Sequence, residues 1–334
     1  MHPGVKLPRG ASVLLLYLFS SRGKSMGKFI IRRLLLAIPI VIAVSFITFI
    51  LVNMSNVDPA EASLNAQGYP VVTEEMIASE REALGLNDNF FVRFGRWVLN
   101  FARLDFGTSY SKKVPVKDLV FPALINTLKL TCVTAVIIVL AAFVLGVLCA
   151  LLQGRFLDKL IRFLVVGIGS MPSFWVGMIL IVYVSVKLDL LPTGGMEGPK
   201  YYILPVIVLA LSYMKFHFRL IRNSMITNKN EGYVMYGRAC GLSEATVLKH
   251  IFRNSLQTAV SSICMAIPGL LAGSVVIENL FSWPGIGRLC VMAIGARDIP
   301  LVQAYIVIVA MAFVLFNIVG DIIVALLNPK LRGD

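Results

Sequence analysis

Charge is scarce in this 334-residue chain. Asp, Glu, Lys and Arg together make up 15% of it, where a soluble domain carries about 25%. Cysteine is also sparse and odd in number: Cys132, Cys149, Cys240, Cys264 and Cys290. No pair among them has metal-ligand spacing. They read as small buried or membrane residues, with no disulfide framework. The three histidines, His2, His217 and His250, share no ligand-like spacing. No catalytic residue and no metal site is therefore expected. A nucleotide loop is missing too. Arg22–Ser25 reads "RGKS", but the pattern G-x-x-x-x-G-K-[ST] needs glycine at the position of Leu18. If ATP is used, another chain binds it.

What is abundant is apolar sequence, 57% of the chain. A helix needs about 20 mostly apolar residues to cross a bilayer, and six stretches qualify: Phe29–Val52, Leu124–Leu152, Leu160–Leu188, Ile203–Ile221, Leu256–Leu280 and Leu301–Leu327. Backbone polar groups inside a bilayer must pair within their own segment, so these are expected as helices. The expected fold is all-α and polytopic, with six transmembrane helices. Pro172 and Pro268 lie within or near spans and are expected to kink them. "GLLAG", Gly269–Gly273, is a small-residue pair that permits close helix approach, inside the subunit or at a partner. Asp321 reads as a structural polar contact in the last span, and His217 as a side chain reaching toward the nearby interface.

Net charge is +13, and more than half of the 31 Lys and Arg precede the first span, lie between spans two and three or four and five, or follow the last. The positive-inside rule then places both termini in the cytoplasm. No nucleic acid is needed to explain the basic balance. Residues 53–121 fall on the other side, with nine acids and seven bases. This extracytoplasmic loop domain has two expected helices. Thr73–Gly85 opens on a capping Thr and closes on Gly. Phe90–Leu104 carries Phe91, Phe94, Val98 and Phe101 at helical spacing. Residues 1–25 contain an apolar run too short to span. They are expected to be an upstream extension, with Met26 as an alternative start, or a short interfacial segment. The first span then occupies 26–52, the remaining transmembrane core 122–327, and a cytoplasmic tail 328–334.

The stretch "GRACGLSEATVLKHIFRNS", Gly237–Ser255, is polar and basic between two apolar runs. Glu231–Cys240 can form a short helix, and Gly241 suits a helix stop. Ser243 then caps a second helix with Glu244 in its first turn. Ala245, Leu248, Ile251 and Phe252 form its apolar face. A helix-turn-helix DNA reader would look similar, but tethering between two spans leaves it no freedom to dimerise on an operator. A helix lying on the membrane accounts for the amphipathicity but not for the break at Gly241. A knob that enters a groove of a cytoplasmic partner accounts for both.

These residues resemble the EAA loop of ABC-importer permeases, closest to the peptide/nickel branch. The loop reads Glu231-Gly-Tyr-Val, then Gly237-Arg-Ala-Cys-Gly-Leu. Gly237 stands where that branch usually has Ala, and Cys240 where it has Lys. From Met26 onward "IIRRLLLAIPIV", "LDFGTSY", "NTLKL", "MPSFWVG", "IENLFSWPGIGRL", "ARDIPLVQ" and "LLNPKLR" resemble the same branch in order. The resemblance implies the type I importer fold in a bacterial inner membrane. It implies a second homologous permease, two cytoplasmic ATPases that hold ATP and Mg, an extracytoplasmic binding protein, and no cofactor on this chain. It assigns ATPase docking within 229–255 to Glu231, Tyr233, Gly237, Ala239, Gly241, Leu242, Ser243, Ala245, Leu248 and Phe252. It assigns a lid-like or purely structural outer corner to Glu278, Trp283, Pro284, Gly285, Gly287, Arg297 and Asp298. Oligopeptides, dipeptides, nickel or a metal chelate are the implied cargoes, and Val57–Leu86 looks nearer to the metal-transporting members. The contrasting possibility is a secondary transporter working alone, which would favour paired acids or broken half-helices near the bilayer centre, with internal repeats.

Overall fold

A computed structural model describes residues 10–54, 58–69 and 71–327, the side chains of 10–26, 28–29, 257, 262–265 and 325–327 excepted. The expected tail 328–334 and residues 1–9 lie outside this range. Helix α1 runs Gly10–Asn53, and its Ile30–Asn53 portion is apolar enough to span. Three short helices follow: α2 Pro59–Ala66, α3 Glu74–Ala83 and α4 Phe90–Ala102. Next come α5 Val116–Leu151, α6 Phe156–Gly169 and α7 Ser173–Leu180, the last continuing as a π-helical turn over Ile181–Lys187. Then α8 Lys200–Lys229, α9 Gly232–Ala239, α10 Glu244–Leu280, α11 Ile286–Gly295 and α12 Ile299–Leu327 complete the order. Among the described residues there is no strand, only one isolated bridge between Thr108 and Pro115. Four helices are long and apolar enough to cross a membrane, and six spans result if each of two bent pairs counts as one.

Two of the expected spans carry the bends expected of Pro172 and Pro268. Leu160–Leu188 is not one rod: α6 and α7 meet at 98°. Pro172 has no N–H to continue the ladder, and the residue before a proline is pushed out of helical conformation. The expected fifth span is longer than its apolar run, because α10 begins at Glu244 and carries the loop's second helix into the span without a stop. Its two parts bend by 49° between Ser261 and Ala266. Pro268 removes a backbone bond to the carbonyl four residues earlier, which accounts for the bend.

The core sits between α5, α8 and α10. Leu130, Ile138, Leu204, Leu209, Leu270 and Ile277 are all buried in one cluster. The Gly269–Gly273 pair serves packing within the subunit. The Tyr213 hydroxyl donates to the Gly269 carbonyl at 3.1 Å, and a Cβ on Gly273 would overlap the Tyr213 ring and hydroxyl. Arg33 of α1 pairs with Asp321 of α12 at 2.7 Å, the polar contact expected of that aspartate. His217 does not reach outward; it is buried on α8. Cys149 and Cys290 are buried as expected, whereas Cys132 and Cys240 are exposed.

The loop between α1 and α5 folds onto the outer end. Thr73 caps α3 through the Met76 N–H, and Gly85 follows with φ +63°. The inward stripe of α4 differs from the expected one. Phe91 is 71% exposed, and Phe90, Phe94, Trp97 and Phe101 instead stack against one another and against Phe46 and Phe49 of α1. The α1 rings set the helix's rotation, and an isolated stripe does not reveal them.

Candidate functional site

At the end of the molecule opposite the outer loop, α9 and α10 form an elbow. Glu231 precedes α9 in extended conformation and makes no side-chain cap bond. Cys240 ends that helix and Gly241 turns the chain with φ +78°, a left-handed value that a β-carbon makes costly. Ser243 caps α10 by accepting the Thr246 N–H at 3.3 Å. Arg238 reaches across the turn to both carboxylate oxygens of Glu244, at 2.8 and 3.0 Å, and this bond holds the guanidinium pKa above its usual value. Tyr233 donates to the Asn228 side-chain carbonyl at 3.2 Å. Gly237 is buried, and a side chain there would press on Leu242 at 3.2 Å.

The apolar face of the elbow divides in two. Val234, Val247 and Ile251 turn inward with Ala150 and Met225. Ile251 was expected on one face with Ala245, Leu248 and Phe252, but those three and Ala239 are exposed. Met235 and Tyr236 on α9 are 74% and 73% exposed, and no sequence argument singled them out. They are long apolar side chains on a helix whose opposite face is already packed. Ala245, Leu248, Val247 and Ile251 line a groove of about 370 Å³ against α5 and α8.

The outer corner is built around two buried carboxylates. Glu278, near the end of α10, is fully buried. Its Oε1 accepts from the hydroxyls of Thr127 at 2.5 Å and Ser274 at 3.1 Å. Its Oε2 accepts the N–H groups of Gly287 at 2.8 Å and Arg288 at 3.1 Å, the free donors of the first turn of α11. A Cβ on Gly285 would overlap this carboxylate, and one on Gly287 would meet Val275 at 2.8 Å. Trp283 is fully buried, donates its indole N–H to the Asn126 carbonyl at 3.1 Å and packs edge-on to Tyr202. Asn126 returns a bond to the Pro284 carbonyl at 3.0 Å.

Asp298 is the second carboxylate, also fully buried. It accepts from the Ser109 hydroxyl at 2.5 Å and from the Ser111 hydroxyl and N–H at 2.7 and 3.0 Å, clamping the loop before α5 onto the start of α12. Burial, with the Asp298 charge adding to it, pushes the neighbouring Tyr110 phenol up to about 12. Arg297 stays exposed, with φ +52°. The structure thus joins Glu278, Trp283, Pro284, Gly285 and Gly287 in one cluster and leaves Asp298 in a second. Every polar atom of both carboxylates is spent on internal bonds, the Leu301 N–H reaching Asp298 Oδ1 at 3.4 Å, so neither carboxylate is left as a reactive group. Among the described residues no group of His, Cys, Asp and Glu could hold a metal ion.

Comparison with known proteins gives two family matches. Residues 142–333 match the family described as "Binding-protein-dependent transport system inner membrane component", and residues 26–131 match the family described as "Binding-prot-dependent transport system membrane comp, N-term". The metal-staphylopine import system permease protein CntB of Staphylococcus aureus is 47% identical over 307 residues, covering 92% of this chain and 99% of the relative. The glutathione transport system permease protein GsiC of Escherichia coli K12 is 35% identical over 308 residues, 92% and 99% of the two chains. The oligopeptide transport system permease protein AppB of Bacillus subtilis is 34% identical over 320 residues, 92% and 100%.

Proposed function

The chain belongs to the inner-membrane component family of binding-protein-dependent transport systems, and from that premise we propose how it works and what it carries. It is the permease subunit of an ATP-driven ABC importer. It forms half of the route, paired with a second permease of the same kind. Two separate ATPase chains hold ATP and Mg, hydrolyse the nucleotide, and each receive one elbow. A binding protein delivers cargo at the outer corner. The elbow end and both termini face the cytoplasm, as the basic loops indicate.

One observation carries this reading. Helix α10 is continuous from the exposed elbow to the buried Glu278. Its 37 residues follow about 55 Å of helix axis, with a 49° bend between Ser261 and Ala266. A push at Leu242, Ala245, Leu248 and Phe252 is therefore passed toward the outer corner along one unbroken backbone, through that joint. Closure of the ATPase pair can shift the permease between two arrangements by this path. A carrier driven by an ion gradient has no use for an apolar, solvent-facing elbow mounted on such a helix.

The cargo is a metal held by an organic chelator. Support comes from the greater identity to the metal-staphylopine permease than to the glutathione and oligopeptide permeases. A chelated metal needs no ligand cluster in the route, because its coordination is already filled.

The docking test uses the whole importer. Leu248→Asp places a charge on the exposed apolar face, and Gly241→Pro forces φ near −65° where the chain needs +78°. Both variants are expected to insert in the membrane and to lose co-purification with the ATPase by at least about tenfold, the effect of removing one buried anchor. Full retention of the ATPase in both variants would remove the docking role.

A further inference from the structure

Helix α8 carries an exposed stripe at four-residue spacing that changes character along its length. Ile203 and Ile207 come first, each 40% exposed. Lys215, Arg219, Asn223 and Thr227 follow, all exposed. No hydrogen bond or ion pair to a described residue engages Arg219. The nearest strong acid on the packed neighbour α6, Asp158, is fully buried and already taken by Arg222 at 2.9 and 3.0 Å, Arg162 at 3.3 Å and the Gly154 N–H. A hydrocarbon core about 30 Å thick, measured from the tyrosines at the start of α8, ends about 20 residues on. Lys215 and Arg219 fall inside it. Charges at that depth turn toward water or toward other protein groups.

A second observation points to the same surface. The break between α6 and α7 leaves Ser170, Met171 and Pro172 exposed. Irregular backbone at membrane depth is tolerated only inside protein or along a water-filled cavity. Lys215 sits at this break, and its ammonium donates to the Gly169 carbonyl at 2.6 Å. Two features that lipid would reject are thus joined by one bond.

We propose that Lys215 and Arg219, beside the broken backbone at Ser170–Pro172, form a cationic wall of the translocation route that favours anionic cargo. The inference rests on the permease reading above and narrows its cargo. A chelator that carries more carboxylates than the bound metal neutralises leaves the complex negative. Arg219, with no partner among the described residues, can meet such a group. Lys215 holds the break in place and adds to the positive field.

The test reads the field directly, in the assembled importer in proteoliposomes with Cys132, Cys240 and Cys264 replaced by Ser. Asn223→Cys is probed with two thiol reagents of similar size, one bearing a sulfonate and one a trimethylammonium group. The sulfonate reagent is expected to react faster. Arg219→Gln should cut the rate ratio about tenfold, since one unit charge about 6 Å away in a water-like medium changes each rate about threefold in opposite directions. Arg219→Lys should restore it. Val144→Cys on α5 serves as the control for a side chain facing lipid. An unreactive Asn223→Cys, or a ratio indifferent to Arg219→Gln, overturns the wall. Uptake of nickel chelated by staphylopine is measured in parallel and should fall several-fold in Arg219→Gln. Uptake equal to wild type would overturn the cargo preference. Failure of the wild-type importer to move this chelate would sink the cargo reading above, while the thiol ratios would still decide the wall.

Discussion

Replacing Glu278 tests whether the outer corner is held by its buried carboxylate. Four donors converge on that group: two hydroxyls and two backbone N–H groups. In Glu278→Gln the amide keeps one acceptor and turns an NH2 toward the hydroxyls of Thr127 and Ser274. Ser274 can swing to the Leu271 carbonyl, which it already approaches at 3.1 Å. The bonds from Gly287 and Arg288 survive but lose charge assistance, roughly 1 kcal/mol each. Relief of the buried charge offsets part of any further loss, so the expected cost is about 2 kcal/mol. Glu278→Ala leaves two backbone donors and the Thr127 hydroxyl without an acceptor, at about 1–3 kcal/mol for each orphan. Its cost should exceed about 4 kcal/mol. At roughly 2–4 °C per kcal/mol, Tm should fall roughly 4–8 °C in the glutamine variant and at least twice as far in the alanine variant. A thiol-reactive dye in detergent reads this through the buried Cys149 and Cys290, with Cys132, Cys240 and Cys264 replaced by Ser in every sample. An alanine variant that melts within a degree of wild type would refute the account.

Two further predictions concern the same end of the molecule. Gly285→Ala should cost about 1–3 kcal/mol by forcing a methyl onto the Glu278 carboxylate, and less in the Glu278→Ala background, so a double-mutant melting cycle should show coupling of at least about 0.5 kcal/mol. Asp298→Asn should loosen the clamp on Ser109 and Ser111 at a cost of about 1–2 kcal/mol. Limited proteolysis should then cut the loop around residues 105–115 several-fold faster at unchanged overall helicity.

Much of the arrangement was legible because the bilayer is a demanding solvent. Long apolar runs leave few alternatives to helices, and Thr73, Ser243 and Gly241 mark helix ends through local bonds that need no tertiary knowledge. The elbow's helix–glycine–helix plan was readable for the same reason. What escaped was decided at a distance. The rotation of α4 follows from Phe46 and Phe49, about forty residues earlier in the chain, and the loss of Ile251 from the exposed face follows from its packing with Met225 and Val234. The break in the third span was signalled by Pro172, but not the Lys215 donor that meets the freed Gly169 carbonyl from another helix. Glu278 and Asp298 stood out in the resembling motifs. Only the four donors around each, with the Leu301 N–H completing the set at Asp298 Oδ1, revealed them as anchors fully occupied by the fold.

The Tyr213 hydroxyl occupies the space where a residue at 273 would carry its side chain. A peg seated in a slot resists both sliding and rolling, so α8 and the outer half of α10 are keyed together. Whatever swings during a transport cycle must swing them as one piece, and the give in the machine is left to its bent joints.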